Sequence, residues 1–341
     1  MTCKIETVPL KRYSEFGLQA IVFVALIFAT LSVSGCGRPP DAIIGVDNPG
    51  TKAETVAGAR KHDIFIATTR ALDPRPAILY SGERSEKIGL ARVTVFVPPN
   101  HVPGAIERPK SLPPDPRKEF TVLDPVTYSE DRAFLDGLRS ELATRRKGER
   151  TVLVFVHGFN TTLPSAALRI AQFVEDTGYP GVPVLFSWAS RGKVFDYVYD
   201  LNSALHARDD LIKTGNLLAQ SGAEGFDIVA HSMGNFLAVE AMRQAKLQGQ
   251  FDPDGRLRNI ILASPDIDVD VFKKQIASFA KEDRRFFVLI SEDDKALSLS
   301  RRIAGGVDRV GDESAEQLAA LGVTVIDLSQ VKRHRTFLPA S

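Results

Sequence analysis

The sequence predicts an α/β fold, a mostly parallel central sheet with helices on both faces, and three observations predict it. From Thr151 onward, strand-like and helix-like segments alternate five or six times, the order that right-handed crossovers between parallel strands require. Thr151-Val152-Leu153-Val154-Phe155-Val156 is an unbroken, mostly β-branched run, as expected of a strand covered by helices on both faces. Phe226 to Val229 is a short apolar strand that runs into small residues and then into an amphipathic helix. Leu237, Ala238, Ala241, Met242 and Ala245 share one face of that helix.

Taken from the N-terminus, Lys4, Lys11 and Arg12 precede an apolar run from Ala20 to Leu31, and Ser32-Val33-Ser34-Gly35-Cys36 follows. A basic start, a short apolar stretch and small residues at its end describe a secretory signal rather than a spanning helix. Val33-Ser34-Gly35-Cys36 resembles the bacterial lipobox, whose cysteine is acylated and becomes the first mature residue. The alternative is an uncleaved membrane anchor. In either case the folded part is expected in the bacterial cell envelope, tethered to a membrane and facing the periplasm or the exterior. Gly37 after the cysteine favours the outer membrane. Residues 1–36 are expected to be signal, 37–61 a flexible tether with Pro39, Pro40 and Pro49 and no sustained period, and 62–341 the folded domain.

Within that domain Asp63 to Thr68 reads as a first strand and Leu90 to Val97 as a second, with Ala91, Val93, Val95 and Val97 on one face. Seven prolines from Pro98 to Pro116 mark a surface loop. Phe120 to Leu123 is a short strand, and Asp131 to Arg145 a helix with Phe134, Leu135, Leu138 and Leu142 on one side. The strand Thr151 to Val156 ends in His157-Gly158-Phe159-Asn160, and the next helix buries Ala166, Ala167, Ile170, Ala171 and Val174. Pro183 to Trp188 is a strand and Ser203 to Ala219 a helix. Beyond the Phe226 strand and its helix, Asn259 to Ala263 is a strand, Val269 to Phe279 a helix and Phe286 to Ile290 a strand. Glu313 to Leu321 is a helix and Val323 to Leu328 the last strand. Ligands of such sheets sit at the carboxyl ends of the strands.

Composition narrows the chemistry. Lys and Arg number 43 against 42 Asp and Glu, a net charge of +1 with no block of like charge, so nothing points to nucleic acid. The cysteines are Cys3 and Cys36, so the body has no disulfide and no thiolate metal site. No clustered ligand set is visible, and no metal or cofactor is expected.

Ala230-His231-Ser232-Met233-Gly234 is a one-residue variant of Gly-x-Ser-x-Gly, the nucleophile elbow. The elbow needs small residues two before and two after the serine, because strand and helix nearly touch there and the backbone is strained. A serine hydroxyl needs a base within hydrogen-bond reach and a third group to orient that base. On this strand–serine–helix unit the partners follow in the order Ser, Asp or Glu, His. Of His62, His101, His157, His206, His231 and His334, only His334 follows Ser232, just past the last strand. For the acid, Asp294 and its neighbour Asp293 lie after the penultimate strand, and Asp266 after the strand before it. The oxyanion donors expected are the Met233 N–H, at a helix N-terminus, and the Phe159 N–H in the loop after Val156. His157 is expected to brace that loop and His231 to pack away from the serine. Trp188, Phe195 and Tyr197 are expected to wall a substrate pocket.

Val154-Phe155-Val156-His157-Gly158-Phe159-Asn160, Phe186-Ser187-Trp188 and Ala230-His231-Ser232-Met233-Gly234-Asn235 resemble the bacterial α/β hydrolases grouped as DUF900, over about Asp63 to His334. The resemblance implies the α/β-hydrolase fold and an esterase- or lipase-like serine hydrolase that works through an acyl-enzyme. Ser232, an aspartate after a late strand, and His334 carry over. Ala189 stands where a proline is common, and seven residues follow His334 where a closing helix is usual. The substrate expected is a small-molecule or lipid ester. The alternatives are thioester or amide cleavage by the same triad, and a hydrolase-fold lipoprotein without turnover that binds an envelope partner.

Overall fold

The structure, a computed structural model, describes residues 39–280, 283–291 and 308–329. Its sheet comprises β1 (Arg60–Leu72), β2 (Tyr80–Val97), β3 (Thr121–Tyr128), β4 (Thr151–Val156), β5 (Val182–Ser187), β6 (Gly225–His231), β7 (Leu257–Ala263), β8 (Phe286–Ile290) and β9 (Thr324–Asp327). Their spatial order is β3-β2-β1-β5-β4-β6-β7-β8-β9. Pairing is antiparallel from β3 to β1 and parallel from β1 to β9. The helices are α1 (Asp131–Ala143), α2 (Leu163–Thr177), α3 (Tyr197–His206), α4 (Arg208–Ala219), α5 (Met233–Leu247), α6 (Val269–Ile276) and α7 (Ala315–Ala320).

Every residue of β4 is buried. Val152, Val154 and Val156 join Phe134, Leu138, Leu237 and Phe272 on one face of the sheet, while Leu153 and Phe155 join Ala166, Ile170 and Val174 on the other. The period-two alternation of a strand distributes one apolar run between two helical layers. In the parallel half, β6, β7, β8 and β9 are neighbours. Their carboxyl ends therefore form one rim with steps of about 4.8 Å.

Three expectations are corrected. The first two strands are longer than their apolar cores, because Tyr80 to Gly89 is polar yet continues the β1–β2 hairpin past the sheet. The single helix expected over Ser203 to Ala219 is two helices that meet at Ala207, the first starting at Tyr197. The 37–61 tether is largely packed. Ile43 and Ile44 are buried, Asp41 pairs with Arg108 at 2.7 Å, Ile44 bridges to Val122, and Ala53 is fully buried. The compact unit starts at Pro40 rather than at residue 62. An Ile-Ile pair has no period to show in sequence, yet it joins the core on the Leu153 and Phe155 face of the sheet.

Candidate active site

Ser232 links β6 to α5 with φ 52° and ψ −126°. A non-glycine residue held at such a positive φ costs about 1–3 kcal/mol and needs surroundings that over-determine it. They do here. The Ser232 N–H donates to the Ala263 carbonyl at 3.0 Å, and its own carbonyl accepts from the amides of Asn235 (3.0 Å) and Asp266 (3.3 Å). Buried Asn235 adds its Nδ2, which donates to the same Ser232 carbonyl at 2.9 Å and to Ala263 at 2.8 Å. A Cβ at Gly234 would stand 2.6 Å from the Val156 carbonyl oxygen and would collide with that of His157. Gly234→Ala is expected to destabilise the fold by about 1–3 kcal/mol, read by urea denaturation, because only backbone movement makes room.

The loop His157 to Asn160 lies directly against the serine: a Cβ on Gly158 would be 2.9 Å from the Ser232 Cβ. Met233, the first residue of α5, has an amide without an intrahelical acceptor, at the positive end of the helix dipole. Phe159 packs its ring edge-on against Tyr197, with centroids 5.1 Å apart.

Behind the loop is a buried polar network. His157 Nδ1 donates to the Gly158 carbonyl at 2.8 Å, which assigns Nε2 as the acceptor for Arg70 Nη2 (3.3 Å) and the Ser187 hydroxyl (3.2 Å). Burial first, and the Arg70 charge second, push the His157 imidazole down to about 3, so it is neutral and braces the loop. Arg70 is itself buried, and its guanidinium also donates to the Ser187 hydroxyl (2.8 Å) and to the carbonyls of Ser81 (3.0 Å), Ser190 (2.7 Å) and Thr161 (2.7 Å). Burial lowers it to about 9, which leaves it charged at neutral pH. The charge that most opposes this lowering is the fully buried Asp200 carboxylate. That carboxylate accepts from the Ser190 hydroxyl (2.5 Å) and from the amides of Arg191 (3.0 Å) and Asn160 (3.2 Å). Burial raises the Asp200 carboxyl, with these hydrogen bonds opposing.

The structure brings Ser232, Met233, Phe159, Tyr197 and Asp266 to the carboxyl rim. Asp266 is buried, with Arg309 Nε 3.3 Å from Oδ1 and the Tyr197 hydroxyl donating to Oδ2 at 3.3 Å. Burial, and then the Asp266 charge, push the Tyr197 phenol up. Trp188 is corrected from pocket wall to buttress. It is fully buried, stacks on His157 at 5.1 Å and donates its indole N–H to the His157 carbonyl at 2.8 Å. Phe195, also expected to wall a pocket, is fully exposed among the described residues. His231 is exposed, with its Nδ1 3.0 Å from where a Gly158 Cβ would be. Ser291 leaves β8 and Ser329 leaves β9 at this rim. Asp293, Asp294 and His334, which follow them in sequence, lie outside the described residues, as does Cys36. Among the described residues no group of three His, Cys, Asp or Glu side chains is placed to hold a metal ion. Arg70, Ser187, Ser190 and Asp200, which hold the loop, escape a sequence reading because no spacing relates them.

The family model described as "Alpha/beta hydrolase of unknown function (DUF900)" matches residues 134–340. β1 to β3 fall outside that match, so the likeness starts later than the motifs suggest. No curated protein matches the chain. Among solved structures, brefeldin A esterase, described as a bacterial homologue of human hormone sensitive lipase, is 12% identical with a TM-score of 0.34, over 90% of this chain and 76% of that one. A periplasmic binding ribose operon repressor protein from Lactobacillus acidophilus is 13% identical with a TM-score of 0.23, over 57% of this chain and 58% of that one. At these TM-scores neither likeness carries an argument.

Proposed function

The chain belongs to the α/β-hydrolase family DUF900, and from that premise we propose that it is a serine hydrolase of carboxylic esters. The observation that carries the reading is the strained Ser232 at the head of α5 with the Gly158 loop pressed against its Cβ, the arrangement a serine nucleophile with backbone oxyanion donors requires. Ser232 Oγ attacks the acyl carbon while His334 takes its proton. The Met233 and Phe159 N–H groups hold the oxyanion. His334 then protonates the departing alcohol, and water, deprotonated by the same imidazole, releases the acid from the acyl-enzyme. Acylation at Cys36 would hold the protein in the cell envelope, with the outer membrane favoured.

For the orienting acid, Asp294 is preferred over Asp266 and Asp293. Asp294 takes the usual place in the loop after the penultimate strand, while Asp266 pairs with Arg309 and accepts from the Tyr197 hydroxyl. Asp294→Asn is expected to lower kcat about 10⁴-fold, and Asp266→Asn less than tenfold; the reverse order would make Asp266 the acid. A fluorophosphonate tests the whole reading, since only an activated serine reacts with it. The full chain should label and Ser232→Ala should not. An unlabelled wild type would favour a binding protein that lacks turnover.

A further inference from the structure

The rim around Ser232 carries an apolar surface that hydrolysis in water does not use. Helix α3 is two-faced. Tyr197, Asp200, Ser203 and Ala204 are turned inward, while Val198, Leu201 and Leu205 are 66%, 38% and 45% exposed. Phe195, one turn earlier, is 101% exposed. Spacings of three, three and four residues put all four on one stripe. Scattered exposed leucines are ordinary, whereas a contiguous stripe marks a contact surface. The stripe borders the site, because the inner face of α3 meets Phe159 and Asp266 through Tyr197. Leu72, at the carboxyl end of β1, is a further exposed apolar side chain at this end of the sheet, 67% exposed.

The second observation is where the chain enters the fold. Arg108 donates to the Pro40 carbonyl at 3.2 Å, to Asp41 at 2.7 Å and to Ser165 at 2.6 Å, in the first turn of α2 just after the Gly158 loop. The Thr162 hydroxyl reaches Asp41 at 3.5 Å, and the Ile44 N–H donates to Ala77 at 2.9 Å in the β1–β2 turn. Thr162 and Ser165 follow β4 through the Gly158 loop, so the Asp41 contacts lie at the carboxyl end of the parallel strands, while Ile44, through its bridge to Val122, is level with His62 at the amino end of β1. Cys36 stands four residues before Pro40 in the sequence. Four residues of extended chain span at most about 14 Å.

We propose that this rim rests on a phospholipid bilayer, with Phe195, Val198, Leu201 and Leu205 at the headgroup–acyl boundary and Ser232 turned toward an ester resident in that bilayer. With the folded unit beginning at Pro40 rather than at residue 62, the chain between Cys36 and the fold is four residues instead of some twenty-five. The proposal rests on the ester-hydrolase reading and on acylation at Cys36, and it narrows the substrate to a membrane lipid ester.

The test uses the full acylated chain with two substrates: a soluble short acyl ester, and vesicles of phosphatidylethanolamine and phosphatidylglycerol. Val198→Glu/Leu205→Glu is expected to keep its soluble-ester rate within about twofold and to lose about tenfold or more on vesicles. Equal loss on both substrates, or no loss on vesicles, overturns the proposal. A Phe195→Trp reporter in the Ser232→Ala background reads the surface without turnover, since Trp188 is buried. Quenching by brominated acyl chains supports the proposal; no quenching overturns it and leaves a protein as the partner of the stripe. If wild type cleaves neither ester while the reporter is quenched, the hydrolase reading fails and the membrane contact stands.

Discussion

Ser232→Ala is expected to lower turnover of a short acyl ester by about four to six orders of magnitude when chemistry limits the rate. The substitution removes the nucleophile and nothing that positions it. The backbone at residue 232 is held by Ala263, Asn235 and Asp266, and none of those bonds uses the serine hydroxyl. The Met233 amide stays at the head of α5, and the Gly158 loop stays against the Cβ, which alanine retains. Residual rate over water, from binding and the two amides alone, is therefore expected to survive. Stability is expected to change by less than about 1 kcal/mol, because serine and alanine bear the same positive φ with nearly equal strain. Initial rates together with a urea curve separate the two effects. A variant as active as wild type would remove Ser232 from the chemistry.

Legibility in the sequence follows from whether a physical demand is local. The elbow is legible because strain at Ser232 and the approach of Gly234 to Val156 and His157 dictate residue types within five consecutive positions. The strand Thr151 to Val156 is legible because burial on both faces excludes polar residues over its whole length. Arg70 is not legible. Its partners Ser81, His157, Thr161, Ser187 and Ser190 lie 11 to 120 residues away, and an arginine in a strand reads as a solvent-facing charge. Trp188 shows a second kind of failure: an aromatic at a strand end has the same sequence signature whether it lines a pocket or lies beneath it. Its buried indole N–H, satisfied by the His157 carbonyl, settles the matter only in three dimensions. The start of α3 is hidden for a third reason. A helix that buries Asp200 and Ser203 while Val198, Leu201 and Leu205 stay exposed inverts the usual apolar period, so its pattern does not announce which face is inward.

Arg70→Met is expected to destabilise the fold by about 3–5 kcal/mol, the range for removing one member of a buried charged network. It is also expected to lower kcat about 100-fold, as when one oxyanion donor is lost. The thioether chain fills much of the guanidinium's volume, so the effect is one of charge and hydrogen bonding. Three carbonyls lose a donor, that of Ser190 in a buried space and those of Ser81 and Thr161 in partly buried ones. Asp200 loses the favourable Arg70 charge while it still holds Asn160 and Ser190, so the loop bearing Phe159 loosens from its other end as well. Arg70→Lys restores the charge without the planar fork and is expected to recover only part of both losses. The decisive measurement is the double-mutant cycle with Asp200→Asn, read by urea denaturation and by kcat. If the two residues compensate one another, the double variant is less destabilised than the sum of the single variants by more than about 1 kcal/mol. A strictly additive result would mean that each holds its own loop, with the buried charges balanced elsewhere. KM is expected to stay nearly constant throughout, because Arg70 lies behind the loop and its loss acts where negative charge develops rather than where the substrate first binds.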